Sequence, residues 1–344
     1  MQNKTRRIAD SDSEEEAGLQ NQEDGKEFHP IDELQEHGIS KNDVTKLSDA
    51  GFKSVEAVSY APKKALAAIK GFNDLKAEKL MAACAEMLDL GFKNSKVLLM
   101  ERKRLVRISS GSKALDDILG GGFEGGSITE IYGEYRTGKT QLCHTLCVTC
   151  QLPRENGGGG GKAIYIDTEG TFRPEKLEPI AARFGLDKEQ VISNVCYARA
   201  YNSDHQHQLL FGACGLMAED HYSLLIVDSA TALFRTDFQG RGELSSRQMS
   251  LAKFLRNLQK IADEHKCVVV VTNQVVASVD GSAFAGANDK KPIGGHIMAH
   301  ACQTRLALKK MKGNNRQCRV CDAPNLPELD AEFSITEAGI DEPM

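Results

Sequence analysis

Gly133-Glu134-Tyr135-Arg136-Thr137-Gly138-Lys139-Thr140 has the spacing G-x-x-x-x-G-K-T and lies between an apolar run, Ile128 to Tyr132, and a helical one, Gln141 to Gln151. Two glycines let the backbone approach anionic oxygens closely. The N–H groups that follow line a concave nest at the positive end of the next helix. In such a loop Lys139 reaches the β and γ phosphates as a point charge and the Thr140 hydroxyl ligates Mg²⁺. The strand–loop–helix order therefore predicts that Gly133 to Gln141 enclose a nucleoside triphosphate, and that a parallel α/β sheet is built around them.

Working outward, 344 residues with 41% hydrophobic and 26% charged content suffice for one large core and a smaller domain. No apolar run approaches the roughly 20 residues that span a bilayer, and Met1 to Asp24 lacks the apolar centre of a secretory signal, so an intracellular protein with no membrane partner is expected. The net charge of -5 does not by itself suggest a nucleic-acid binder. Residues 1–28 carry four Lys/Arg against eight Asp/Glu, however, which leaves the remainder near neutrality and free to form a local basic groove. Ten cysteines in such a chain read as buried thiols, with Cys143, Cys147 and Cys150 on one helix face. Cys318 and Cys321 form a C-x-x-C inside a strand-like run, where they point to opposite faces and make a poor metal pair. His205 and His207 read as a polar helix edge.

Residues 1–28, with seven carboxylates between Asp10 and Asp24, read as a disordered acidic tail. Residues 29–90 read as a small all-α domain. Within it Ala65 to Leu80 has the pattern helix, glycine hairpin, helix, which offers Lys70, Lys76 and Lys79 to DNA phosphates or, equally, serves as a protein-docking bundle. Residues 91–107 read as a connector holding the aromatic Phe92, with a basic run of Arg102, Lys103, Arg104 and Arg107.

From residue 108 to 344 short apolar strands alternate with helices, the pattern of a doubly wound sheet. Ala163 to Asp167, Leu224 to Asp228 and Cys267 to Thr272 each end in a polar residue, and the carboxyl ends of parallel strands form the ligand crevice. Asp228 is placed to hold Mg²⁺ through water, Glu169 to orient an attacking water, and Gln274 to sense a γ-phosphate. Two Gly-rich charged stretches follow these ends, Arg235 to Glu243 and Val275 to Gly295, the second carrying Lys290 and Lys291. Gly-flanked arginines beside apolar wedges suit the phosphates and base steps of single-stranded DNA.

With these residues assembled, the sequence closely resembles the RecA/RadA family of DNA strand-exchange recombinases, in its eukaryotic mitotic form, from about residue 29 to 341. Tyr165 to Pro174, Val227 to Leu233, Gly240 to Leu244 and Lys290 to Gly295 carry the match together with the phosphate loop. The resemblance implies a RecA-like P-loop ATPase core with a helix-hairpin-helix domain before it. It also implies nuclear localisation, a helical filament or ring of the chain with itself on single-stranded DNA, exchange with double-stranded DNA, and ATP held between protomers. Under it Glu169, Gln274 and Lys139 are catalytic, His300 reads the neighbour's nucleotide, and Asp322 to Pro327 form a cap over ATP. Arg235 and Arg241 belong to a first DNA loop, Val279 and Phe284 to a second. The family's polymerisation motif, F-x-x-A, is replaced here by Phe92, Lys93, Asn94 and Ser95, and burying the serine hydroxyl without a partner costs about 1–3 kcal/mol. That bears on filament cohesion and on mediator proteins that carry F-x-x-A. A meiosis-specific recombinase and a non-catalytic regulatory paralogue are the alternative readings. Intact Lys139, Glu169, Asp228 and Gln274 argue against the second.

Overall fold

The computed structural model of the chain describes residues 29–88, 90–277 and 290–343. The acidic segment 1–28, Val279 and Phe284 lie outside the described residues.

The N-terminal residues form four short helices, α1 (Lys41–Asp49), α2 (Val55–Ser59), α3 (Lys63–Ala67) and α4 (Asp74–Met87). Side-chain oxygens of Ser40, Ser54 and Asn73 accept from the first-turn N–H groups of α1, α2 and α4, donors that would otherwise have no partner. The helices enclose a small core of Leu34, Leu47, Val55, Leu66 and Leu80. Gly71, at φ +88°, turns the chain between α3 and α4, so the helix–hairpin–helix pattern is present. Two of its three lysines are engaged inside the domain: Lys76 Nζ donates to Asp43 at 2.7 Å and Lys79 Nζ to the Gly38 carbonyl at 2.7 Å. Lys70 is exposed.

The expected connector is largely helical. Helix α5 (Ser95–Arg104) starts where Asn94 Oδ1 accepts from the Val97 N–H at 2.9 Å, and its last turn gathers Arg102, Lys103 and Arg104 at the negative end of the helix dipole. Arg102 and Arg107 both pair with Glu124, at 2.7 and 2.9 Å, so part of the basic run fastens this segment to the core.

The core is a nine-stranded sheet. Its strands are β1 (Ser127–Gly133), β2 (Lys162–Asp167), β3 (Val195–Arg199), β4 (Tyr222–Asp228), β5 (Val268–Asn273), β6 (Thr304–Lys310), β7 (Asn315–Asp322), β8 (Asp330–Thr336) and β9 (Gly339–Asp341). The order across the sheet is β9-β8-β7-β6-β1-β5-β4-β2-β3. Strands β6 through β3 run parallel, while β7, β8 and β9 extend one side as antiparallel strands.

Successive side chains of a strand point to opposite faces, and both faces are covered, which is why the strands read as unbroken apolar runs. Leu224, Ile226, Val268 and Val270 join one core, against Leu142, Cys143, Leu146 and Cys147 of α6 (Lys139–Thr149). Leu225, Val227, Val269 and Val271 join the other, against α7 (Ser203–Glu219), α8 (Ala232–Asp237), α9 (Leu244–His265) and α10 (Gly295–Ala301). This second core also takes His207, which stands edge-on to Phe234 and Phe254 with ring centroids 5.8 and 5.5 Å away, rather than lining a purely polar edge. Cys143, Cys147 and Cys150 are buried as the spacing predicts. Cys318 is buried while Cys321 is half-exposed on the other face of β7. Among the described residues no cluster of His, Cys, Asp or Glu is set to hold a metal, and no helix is long and apolar enough to cross a membrane.

Candidate functional site

Parallel pairing brings the carboxyl ends of β1, β5, β4 and β2 to one edge of the sheet, with Asp167 opposite Asp228 in register. A cleft of about 670 Å³ opens there, walled by Gly133 to Gln141, Glu169, Asp228 and Gln274. The loop and the three strand ends singled out from sequence therefore converge on one site.

The loop is shaped by its glycines. Gly138 sits at φ +103°, and a Cβ on it would fall 2.6 Å from Ile335 Cδ1; a Cβ on Gly133 would fall 2.5 Å from the Leu308 carbonyl. Helix α6 begins at Lys139, two residues earlier than the sequence suggested, and Gly138 supplies no side-chain cap, so the first-turn N–H groups face the cleft. Lys139 Nζ donates to the carbonyls of Gly133 and Glu134, both at 2.9 Å, folding the ammonium back over the loop. Burial lowers its pKa, and the carboxylates of Asp228 and Glu169 oppose that shift. Arg136 lies over the Tyr135 ring, 5.3 Å from its centroid, and both residues wall the cleft.

Asp228, 4% exposed at the end of β4, is the centre of a hydroxyl cluster. Its Oδ2 accepts from Thr140 Oγ1 and from the Tyr165 hydroxyl, each at 2.8 Å, and its Oδ1 accepts from Thr272 Oγ1. A carboxylate and a hydroxyl side by side on the phosphate-loop wall are hard oxygen donors, the set that suits Mg²⁺ held partly through water. The donor chemistry and the narrow glycine cradle both fit a magnesium nucleotide.

Glu169 is exposed on a turn held from beneath by the fully buried Asp167. Asp167 Oδ1 accepts the N–H groups of Glu169 and Gly170 at 2.8 and 2.7 Å and an Arg199 N–H at 3.1 Å; its Oδ2 accepts from the Phe172 N–H at 3.1 Å. Gln274 Nε2 donates to Glu169 Oε1 at 2.7 Å, so the two polar residues meet across the cleft.

Other expected residues lie elsewhere. His300 is exposed on α10, its ring 6.1 Å from that of His296; Asp322, the last residue of β7, and Pro327, beyond that strand, are exposed as well. None of the three walls this chain's own cleft. Arg235 is exposed in the last turn of α8, so the first charged stretch is partly helical, and Arg241 begins a short 3₁₀ turn ending at Glu243. Phe92 is fully exposed at 110%, just before α5, and Ser95 is the first residue of that helix. The sequence reading had not singled out Tyr165 as a partner of Asp228, nor Lys310, Arg316 and Ile335, which wall the far side of the cleft. Lys310 and Arg316 are register partners at the turn end of the β6–β7 hairpin and Ile335 lies on β8, strands that the sheet order sets out from β1; of these only the strand-like run around Cys318 and Cys321 was visible in the sequence.

A family model described as Rad51 matches residues 101–343. The chain is 57% identical over 315 residues to "DNA repair protein RAD51" of Mycosarcoma maydis, covering 92% of this chain and 93% of that one. It is 57% identical over 325 residues to "DNA repair protein RAD51 homolog 1" of Arabidopsis thaliana, covering 94% and 95%. With a phosphate-loop cleft at the strand ends of a RecA-like sheet, and this likeness over nearly its whole length, the chain belongs to the Rad51 family.

Proposed function

We propose that the chain is an ATP-dependent DNA recombinase of the mitotic type, which assembles on single-stranded DNA, pairs it with a homologous duplex and exchanges strands, with nucleotide turnover driving release. The observation that carries this reading is the position of Gln274. It lines the nucleotide cleft, touches Glu169, and is followed at once by the hairpin of Val275–Ala277 with Lys290–Pro292, so one residue faces the triphosphate site and opens the second basic segment.

Within this reading Gly133 to Gln141 hold the phosphates, with the Lys139 ammonium leaving its two carbonyl partners for the β and γ oxygens. Mg²⁺, when bound, neutralises charge on those oxygens, and Thr140 and Asp228 are the residues that would hold it. Glu169, kept in place by Asp167, orients the attacking water and accepts its proton. Gln274 reports the γ-phosphate. Arg235, Arg241, Val279 and Phe284 face DNA, and Phe92 with Ser95 joins one protomer to the next. His300, Asp322 and Pro327 complete the nucleotide site of the adjacent protomer, which accords with their distance from the chain's own cleft. We read 29–90 as the accessory DNA-binding domain, the nucleus as the place of action, and mediators carrying F-x-x-A as competitors for the Phe92 contact.

Joint-molecule formation tests the reading. Purified chain with ATP, Mg²⁺, a single-stranded fragment and a homologous supercoiled duplex should yield D-loops, and a chain that binds DNA and nucleotide yet forms none is a regulatory paralogue instead. Because the grip is on backbone and base stacks, sequence preference should be weak, and the logarithm of affinity should fall with log salt at about -0.7 per phosphate contact.

A further inference from the structure

Asn273, the last residue of β5, is completely buried and uses its whole hydrogen-bonding capacity. Its Nδ2 donates to Glu130 Oε1 at 2.6 Å and to the Ile293 carbonyl at 2.7 Å, while its Oδ1 accepts from Thr231 Oγ1 at 2.7 Å and from the Gln274 N–H at 2.9 Å. The orientation of the amide follows from its partners: a backbone N–H can only donate, and the Ile293 carbonyl can only accept. Glu130, also fully buried, gives its other oxygen to Arg305 Nε at 2.6 Å, which anchors the donor side of the amide to β6.

Each partner of Asn273 leads to a different part of the machinery. Thr231 immediately precedes α8, which carries Arg235. Ile293 closes the second basic segment, and its N–H returns to the Gln274 carbonyl at 3.0 Å. Gln274 reaches Glu169 in the nucleotide cleft. One buried amide therefore meets the nucleotide-facing residue and the bases of both basic segments at once. No other side chain does this at this length. Aspartate would set a second carboxylate against Glu130, glutamine is one carbon too long, and alanine leaves the Glu130, Ile293 and Thr231 groups without their partner.

We propose that Asn273 is the positioning residue that couples the nucleotide cleft to the two DNA-facing segments, so that bound triphosphate tightens the hold on DNA and bound DNA tightens the hold on triphosphate by the same factor. This rests on the recombinase reading above. The coupling factor is the ratio of single-stranded DNA affinity with a slowly hydrolysed ATP analogue to that with ADP.

The test measures this factor by oligonucleotide anisotropy for the full chain and its variants, beside fluorescent-nucleotide binding without DNA. Asn273→Ala should lower the coupling factor at least tenfold while nucleotide affinity without DNA stays within threefold. Thr231→Val, nearly isosteric and remote from the phosphates, removes only the link to α8 and should also lower the factor; Thr231→Ser keeps the hydroxyl and should retain it. If Asn273→Ala does not fold, the Thr231 pair decides. The proposal is overturned if Thr231→Val keeps the parent's factor, or if the variants weaken both DNA affinities equally and leave the ratio intact, as a merely structural role would. A factor of one in the parent chain, read before any variant, overturns the recombinase reading and this coupling with it.

Discussion

The Lys139 ammonium, folded onto two loop carbonyls, depends on burial and nearby carboxylates for its state, which makes its charge and its reach separable by substitution. Lys139→Ala removes both, and fluorescent-nucleotide titration should show loss of binding. Lys139→Arg keeps the charge but replaces a compact point donor with a broad planar fork in a narrow cradle, so binding should survive while steady-state hydrolysis slows. Glu169 makes a different case. Replacing it with Gln preserves size and can still meet Gln274, yet the amide accepts no proton. DNA-stimulated phosphate release should fall about 10²- to 10⁴-fold with nucleotide affinity unchanged.

Helix α5 decides how Phe92 is presented. Asn94 caps the helix, Ser95 starts it, and Arg102 holds its far end to Glu124, so the aromatic projects from an anchored segment rather than a free linker. A ring this exposed loses apolar area to water unless a second protein covers it, worth about 1.5–3 kcal/mol on full burial. Phe92→Glu should therefore leave a protein of monomer mass in light scattering, with its thermal midpoint close to that of the parent. Ser95→Ala should act oppositely. On the assembly contact proposed above, removing this hydroxyl should strengthen self-association by about 1–3 kcal/mol, seen as filaments that persist at higher salt.

The helical domain and the ATPase core are joined through a buried contact in which Ser54 Oγ, itself the cap of α2, donates to the Glu264 carboxylate on α9. Burial pushes the Glu264 carboxyl up from its ordinary 4.5 to about 7, and the same burial pushes the adjacent His265 down from 6.5 to about 4. Between these limits the folded chain keeps a proton on Glu264 that the unfolded chain releases, so this group lowers stability as pH rises from about 4.5 to 7. His265 does the reverse, because the unfolded chain takes up a proton that the folded chain refuses, so stability rises with pH from about 4 to 6.5. Over the shared range the two offset each other. Glu264→Gln keeps an acceptor for Ser54 and abolishes only the first effect. Urea denaturation should find it more stable than the parent at pH 8, by up to about 3 kcal/mol, with the difference vanishing near pH 4.

Short-range chemistry was enough to find the nucleotide loop, the strand ends and the two-faced sheet. Glycine spacing and the apolar runs of β1, β2, β4 and β5 are local properties, and a strand whose neighbours cover both faces must be apolar throughout. The same reasoning could not see that Lys76 and Lys79 are held inside their own domain, that Tyr165 and Thr272 converge on Asp228, or that Arg316 walls the cleft. Nor could it show Ser54 meeting Glu264 across 210 residues, or Asn273 satisfying partners on three separate segments, at Glu130, Thr231 and Ile293. A periodic pattern says which way a side chain faces. Which group it meets there depends on the register of strands and helices distant in the chain, and that register exists only once the core has closed.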